Sequence, residues 1–85
     1  IVTNAKLNKT QLTKVAGMTH NGYARAIRPV HTNADGDSIY ALSTGGQAGD
    51  VNVVGSMAAW AMERAIVRAV RAARSAYDLP GCGAL

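Results

Sequence analysis

The stretch HTNADGDSIYALSTGG, residues 31–46, decides how the fold is interpreted, because it places a strand pattern between two helical patterns. Side chains in residues 38–43 alternate between two faces, as in a strand. The glycine-rich residues 44–49 that follow predict a flexible turn. Both faces of this strand are predicted to be covered, since the four central side chains are apolar or aromatic: Ile39, Tyr40, Ala41 and Leu42.

A helix is predicted before this strand, over residues 9–27. Asn8 can cap it, and Gln11 stands in the capping-box position three residues later. Gly17 and Gly22 lower its intrinsic helix propensity, so we expect another backbone to pack close to them. Apolar and small side chains recur at helical spacing and predict one buried face: Leu12, Val15, Ala16, Thr19, Tyr23, Ala26 and Ile27.

A second helix is predicted after the strand, over residues 53–77, with Asp50 or Asn52 as its cap and residues 79–81 as its stop. The predicted inner face of this helix consists of apolar residues at helical spacing, with Trp60 beside them: Met57, Ala61, Ala65, Ile66, Val70 and Ala73. Residues 1–3 are expected to be the end of a buried strand.

The resulting order is strand, helix, strand, helix, an α+β arrangement. Two strands do not make a stable sheet alone, so further strands must come from elsewhere. The 48% hydrophobic content of these 85 residues exceeds what a thin core needs and indicates apolar surface meant for a partner. The first residue is Ile1, not Met, and we expect residues 1–85 to be a single fragment of a larger protein rather than an independent domain.

The single cysteine, Cys82, cannot form a disulfide within the chain, and no signal peptide or membrane-spanning segment is recognisable. These features favour a cytoplasmic protein. No metal or cofactor is expected either. His20 and His31 fit no zinc-ligand spacing, and we interpret them as structural residues rather than ligands or general bases. Residues 43–46 form either an anion-binding backbone turn or an ordinary connection, and they lack the lysine of a phosphate-binding loop.

The net charge of +4 raises the alternative of nucleic-acid binding. One stripe of the second helix carries four arginines, which are either a phosphate-contacting ridge or a solvated face: Arg64, Arg68, Arg71 and Arg74. The solvated face is favoured, because aromatic residues make up only 5% of the chain and none interleaves with the arginines.

Asp35 and Asp37 are separated only by Gly36. On an extended segment the two carboxylates would share a face, and one pKa would rise unless a cation or donor stood between them. An Asx-type turn is the alternative, since Asn33 is also a turn former. A calcium loop would need the EF-hand spacing and its closing glutamate, which are absent.

Residues 2–46, VTNAKLNKTQLTKVAGMTHNGYARAIRPVHTNADGDSIYALSTGG, resemble the smaller, C-terminal subunit of the L-aminopeptidase/D-esterase family of autoprocessing N-terminal-nucleophile hydrolases. That family includes the β-peptidyl aminopeptidases and the nylon-oligomer (6-aminohexanoate-oligomer) endo-hydrolases. The similarity is best marked at residues 3–5, 22–27, 35–37 and 41–45. The Asp-Gly-Asp form of residues 35–37 resembles the nylon-oligomer branch more than the dedicated β-peptidases.

The resemblance implies a precursor that cuts itself in two, after which the new N-terminal Ser or Thr is the nucleophile. It implies a four-layer α-β-β-α sandwich completed by the larger N-terminal fragment, and heterodimers that assemble further, as a tetramer of heterodimers. The nucleophile is then expected a few residues before Ile1. Thr3 is the alternative, but it is not at a terminus and has no free α-amine.

Asp35 and Asp37 are the predicted catalytic residues. The α-amine of an N-terminal nucleophile can take the hydroxyl proton, and the two carboxylates would then hold the resulting ammonium group. Asp37, nearer the strand, is expected to be the more firmly placed. The predicted substrates are small peptides or amino-acid oligomers. A non-catalytic subunit of the same fold and, less favoured, a basic nucleic-acid-binding module are the alternatives.

Overall fold

The computed structural model describes residues 1–84, and its elements follow the predicted order. Two strands and two long helices alternate and are followed by one turn of 3-10 helix: β1 (Val2–Ala5), α1 (Lys9–Ala26), β2 (Leu42–Gln47), α2 (Val51–Ala72) and the 3-10 turn Cys82–Ala84. The strands form a two-stranded parallel sheet, and the helices pack against each other. The α+β class predicted from the sequence is confirmed.

The sheet contains a bulge in β2. Thr3 pairs with Ser43, but Ala5 pairs with Gln47, so β2 has two more residues than β1 in this interval. Gly45 and Gly46 take φ values of 76° and 101°, which glycine adopts at little cost. The Ser43 hydroxyl donates to the Ala5 carbonyl and accepts the N–H of Gly45, and it thereby closes the bulge.

The predicted bounds of the second strand are therefore wrong. Residues 38–41 form no ladder, and four residues of the expected flexible turn, 44–47, belong to β2. From the local sequence alone, a pair of glycines is expected to end a strand. In this structure the strand continues through them, because it pairs with β1. The expected cover on both faces is also missing within this chain, because Tyr40 is 84% and Leu42 52% exposed.

Helix α1 begins as predicted. The Asn8 side chain accepts the backbone N–H of Gln11 at 2.9 Å, and the Gln11 side chain accepts the N–H of Asn8 at 2.9 Å. This reciprocal capping box satisfies two N–H groups that a helix start otherwise leaves unpaired. Helix α2 has a simpler cap, in which the Asp50 carboxylate accepts the N–H of Val53.

The two helices meet at small residues. Gly22 lies so close to α2 that a Cβ there would stand 2.5 Å from the Ala59 carbonyl oxygen. Gly22 therefore meets the expectation of a close backbone, whereas Gly17 does not, because its Cβ would meet nothing within 4 Å. The residues buried at this seam are few and mostly compact: Val15, Thr19, Gly22, Gly55, Ala58 and Ala59.

The predicted inner face of α2 is wrong. Met57 and Val70 are each more than half exposed, and so is Trp60 beside them. The helix turns Gly55, Ala58 and Ala59 toward α1 instead. Close helix approach requires small side chains on both partners, and this requirement outweighs the burial of the larger apolar ones within this chain.

Helix α2 ends at Ala72, earlier than the predicted residue 77. The chain then makes a tight turn in which Ala76 and Leu79 exchange backbone hydrogen bonds of 3.0 and 2.8 Å. Gly81 folds back onto the helix end, where a Cβ would lie 2.5 Å from the Ala73 carbonyl oxygen. Its N–H donates to the Ser75 hydroxyl, which fixes the returning segment.

None of the helices in residues 1–84 is both long enough and apolar enough to cross a bilayer.

Candidate active-site loop

Asp35 is the centre of a hydrogen-bonded loop between α1 and β2. One carboxylate oxygen, Oδ2, accepts the backbone N–H of His31 at 2.9 Å, and the other, Oδ1, accepts the N–H of Asp37 at 2.9 Å. Its own N–H donates to the Thr32 carbonyl at 3.0 Å. The Asp35 side chain thus forms the Asx-type turn that the sequence offered as the alternative to an extended carboxylate pair.

These contacts favour the charged form of Asp35. Its pKa is lowered from the ordinary value, first by the N–H of Asp37, then by the N–H of His31, with smaller contributions from the charges of His31 and His20 and a small opposing effect of burial. A carboxylate that accepts backbone N–H groups is harder to protonate. The sequence analysis expected one of the two aspartate pKa values to rise unless a cation or a hydrogen-bond donor stood nearby. Backbone N–H groups are those donors, and Asp35 is ionised at neutral pH.

Asp37 is exposed and contributes its backbone to the turn. The expectation that Asp37 is the more firmly placed of the pair is wrong, because both carboxylate oxygens of Asp35 are engaged by the loop. In an Asx turn, the side chain of the first residue accepts the backbone N–H of the residue two positions later. Which aspartate is held more firmly is therefore decided by its position in the turn and not by its distance from the strand.

Two histidines lie beside the loop. The rings of His20, on α1, and His31 have centroids 5.4 Å apart with an edge-on angle of 64°. The His20 ring also lies 5.4 Å from that of Tyr23. In residues 1–84, His20 Nδ1 is buried without a hydrogen-bond partner. His20 is thus partly buried and His31 is exposed, and the contact between their rings joins α1 to the aspartate loop.

The loop leads to the sheet end at which β1 begins. The Ile1 amine donates to the Tyr40 carbonyl at 2.7 Å, and the Leu42 N–H donates to the Ile1 carbonyl at 2.9 Å. Asp37 precedes Tyr40 by three residues, a reach of at most about 11 Å of extended chain. The start of β1 and the aspartate loop therefore lie toward the same end of the sheet.

The other candidate positions have simpler roles. Thr3 lies inside β1, where its hydroxyl accepts the Ala5 N–H at 3.1 Å. Residues 43–46 are the β2 bulge, and the N–H of Gly45 is already paired, so they are neither an anion-binding turn nor an ordinary connection. Across residues 1–84, no cluster of three or more His, Cys, Asp or Glu side chains is arranged to hold a metal ion.

Trp60 is closer to the arginine stripe than the sequence reading allowed. The Arg64 guanidinium lies 4.8 Å from the centroid of the Trp60 ring, a cation–π contact across one helical turn. The four-residue spacing was the available signal for this pair.

An open apolar trough of about 450 Å³ lies between β1 and α2. Its α2 wall contains the exposed side chains of Val53, Met57 and Trp60, and its other wall is the start of β1. The sequence analysis placed Met57 on the inner face with Trp60 beside it, so the trough accounts for part of the apolar surface that the chain leaves uncovered.

A family model described as peptidase family S58 matches residues 1–81, nearly the whole chain and the entire aspartate loop. The chain belongs to peptidase family S58. This agrees with the resemblance to the L-aminopeptidase/D-esterase family and its nylon-oligomer hydrolases, which is confirmed by the names of the relatives that match.

Curated relatives of this S58 chain include an uncharacterized aminopeptidase of Mycobacterium leprae, 34% identical over 98% of the chain and 27% of the relative. A second, from Mycobacterium tuberculosis strain H37Rv, is 41% identical over 94% of the chain and 28% of the relative. A 6-aminohexanoate-oligomer endohydrolase of Kocuria sp. is 39% identical over 52% of the chain and 12% of that enzyme. The S58 chain thus spans about a quarter of the aminopeptidases that it matches. No solved structure gives a significant match.

Proposed function

We propose that this chain forms the C-terminal part of an autoprocessing amide hydrolase whose nucleophile is a Ser or Thr a few positions before Ile1. The larger N-terminal fragment of the same precursor would complete the fold as a four-layer α-β-β-α sandwich. Membership of peptidase family S58 supports amide-bond chemistry, and the names of the relatives support small peptides or amino-acid oligomers as substrates.

The observation that carries this proposal is the register of the parallel sheet. Val2 pairs with Leu42 and Thr3 with Ser43, an offset of 40 positions at the start of β1. If the upstream chain continued extended at this offset, it would reach the level of Asp37 four positions before Ile1 and the level of Asp35 six positions before it. A nucleophile a few residues upstream would therefore lie against the aspartate loop.

The chemistry follows from that placement. The N-terminal α-amine takes the proton of the nucleophile hydroxyl as the oxygen attacks the amide carbonyl, and the ammonium returns a proton to the leaving amine. Water then hydrolyses the acyl-enzyme ester and restores the hydroxyl. Asp35, ionised and fixed by two backbone N–H groups, can orient and stabilise the ammonium, and the exposed carboxylate of Asp37 is free to join it.

The apolar trough supports the larger fragment as the partner. Met57 is 61% and Trp60 55% exposed, and both face the trough beside β1. Strands of the larger fragment that pack beside β1 would bury these side chains. They would also extend the sheet, which is not stable with two strands alone. The same proposal includes the assembly of the heterodimers into a tetramer of heterodimers. Light scattering of the processed protein measures the mass of this assembly.

The test uses the complete precursor and replaces Asp35→Asn and Asp37→Asn separately. Each change is expected to lower turnover of 6-aminohexanoate oligomers or amino-acid anilides by at least about tenfold, an apparent barrier change of roughly 1.4 kcal/mol. Asp78→Asn is the matched control, because Asp78 is exposed in the turn after α2 and its φ of 63° suits asparagine.

Intact-mass measurement of the processed protein gives the position of the cut. A smaller fragment that starts at Ser or Thr four to six positions before Ile1 supports the enzyme. A fragment that starts at Ile1 itself rejects the upstream nucleophile and favours a non-catalytic subunit of the same fold. Full activity of both aspartate variants rejects the catalytic roles proposed for Asp35 and Asp37.

A further inference from the structure

The aspartate loop contacts α1 through a row of three aromatic rings. His31, at the start of the loop, packs edge-on against His20, and His20 packs against Tyr23 one turn further along α1. Because α1 is itself fixed to α2 by the Gly22 contact, the row connects the loop to the most tightly packed part of the chain. The position of His31 therefore depends on the position of the His20 ring.

His31 in turn determines where one donor to Asp35 points. Its φ of 60° lies in the left-handed region, which residues other than glycine seldom occupy, and its N–H donates to Asp35 Oδ2 at 2.9 Å. A residue in this conformation needs surrounding contacts to hold it there. For His31 those contacts are the His20 ring and the Asp35 carboxylate.

The contact that holds His20 is its ring packing. In the part of the chain that the structure describes, Nδ1 of His20 is buried and has no hydrogen-bond partner. A ring fixed by packing alone can be replaced by another flat ring, whereas one fixed by polar contacts cannot.

We propose that His20 and His31 are positioning residues for Asp35, with the His20 ring seating the His31 ring so that the His31 N–H meets the carboxylate. This inference rests on the proposed function, since it assigns the two histidines to the carboxylate that would hold the ammonium group. Neither imidazole takes part in proton transfer.

The test compares His20→Ala with His20→Phe in the complete, processed enzyme. The alanine variant removes the ring and is expected to lower kcat about tenfold with KM within about twofold, because misplacing a catalytic group affects the chemical step. The phenylalanine variant keeps a flat ring and is expected to retain most of kcat. Asn21→Ala, an exposed neighbour on the same helix, is the control for the loss of a polar side chain from α1.

The pH profile separates positioning from a general loss of stability. His31 and His20 are the charged groups that act on Asp35 within residues 1–84, and the amides of His31 and Asp37 act more strongly. If His20→Ala frees His31, Asp35 loses the His31 N–H, its pKa rises and the acid limb of kcat/KM moves to higher pH. His20→Phe removes the imidazole charge but keeps the ring, and its acid limb should stay near that of the unmodified enzyme.

His31→Asn provides a second route should His20→Ala fail to fold, because asparagine tolerates a positive φ and keeps the N–H but removes the ring. Loss of kcat in this variant supports the proposal. Unchanged kcat and acid limb in both alanine and asparagine variants overturn it, and so does a phenylalanine variant as impaired as the alanine one. Asp35→Asn distinguishes the two levels: if that variant is fully active, the role that the proposed function gives to Asp35 has failed, whatever the histidine variants show.

Discussion

The Asp35 side chain closes a turn in this structure, and the proposed function gives the same carboxylate a second role. Its Oδ1 accepts the N–H of Asp37, which is the bond of an Asx turn, and its Oδ2 accepts in addition the N–H of His31. The same contacts keep the group ionised, which a partner for an ammonium ion must be. The sequence posed turn and catalytic pair as alternatives, and the geometry of the loop shows that they are compatible.

The pKa of Asp35 can be measured by carbon-detected NMR titration of the carboxyl group. Its midpoint is expected below the ordinary value of 3.8, because both donors favour the carboxylate. A lowered folded-state pKa stabilises the loop above the unfolded value, and this stabilisation is lost as pH falls through the folded one. Asp37→Asn keeps the donating backbone N–H and should leave the midpoint low. A midpoint at or above 3.8 in the unmodified protein would contradict the described hydrogen bonding.

At the scale of elements, the seam between α1 and α2 depends on the absence of side chains. Gly22 brings the α1 backbone against Ala59, and Gly55 accommodates the Met18 side chain. Helical periodicity in the sequence predicted both helices. Residue type predicted the cap of the first helix and left Asp50 or Asn52 for the second, of which Asp50 is the cap. The periodicity placed the wrong face of α2 inward because hydrophobicity ranks Met57 above Gly55, while close packing of two helices favours the smaller residue.

Two glycine substitutions on α1 are expected to change stability in opposite directions. Gly22→Ala places a methyl group 2.5 Å from the Ala59 carbonyl oxygen and 2.8 Å from Met62 Cβ, so the seam must open. Its expected cost is about 1–3 kcal/mol of unfolding free energy. Gly17→Ala meets no atom within 4 Å and should stabilise the protein by about 0.5–1 kcal/mol through helix propensity. Urea unfolding of the complete protein measures both, and equal effects would refute the close approach of the helices.

On the scale of the whole molecule, the chain has more apolar surface than it can cover. Its large exposed apolar side chains lie along the trough, at or just before the start of β2, late in α2 and in the turn after α2: Val2, Tyr40, Leu42, Val53, Met57, Trp60, Val70, Tyr77 and Leu79. Composition alone indicated this excess. Which residues carry it could not be read from the sequence, because that depends on the helix rotation set by the glycine and alanine seam.

Met57→Lys is expected to weaken assembly with the rest of the protein, because it places a charge in the trough that the larger fragment is proposed to cover. Val70→Lys changes an apolar residue of similar exposure on the same helix but outside the lining of the trough. Size-exclusion chromatography with light scattering should show dissociation for Met57→Lys at protein concentrations where Val70→Lys remains assembled. Equal behaviour of the two variants would remove the trough as the covered surface.

The sequence identified the aspartates of the loop but did not predict the contacts that fix the loop's conformation. Asp35 and Asp37 were found by their spacing and by the family resemblance, whereas the contact between His20 and His31 joins residues 11 positions apart across a helix end. No periodicity encodes such a contact. The strand bounds failed for a related reason, since the ladder partner of β2 lies about 40 residues earlier in the chain.

The two additional residues of β2 divide the sheet into a part that tolerates changes in length and a part that does not. Before Gly45 and Gly46 the pairing offset is 40, and after them it is 42. Removing one of these glycines would shift only the segment that enters α2, and the end facing the aspartate loop would keep its alignment. An insertion or deletion here is thus isolated from the proposed chemistry, whereas the same change between Asp37 and Tyr40 would displace the carboxylates from whatever precedes Ile1.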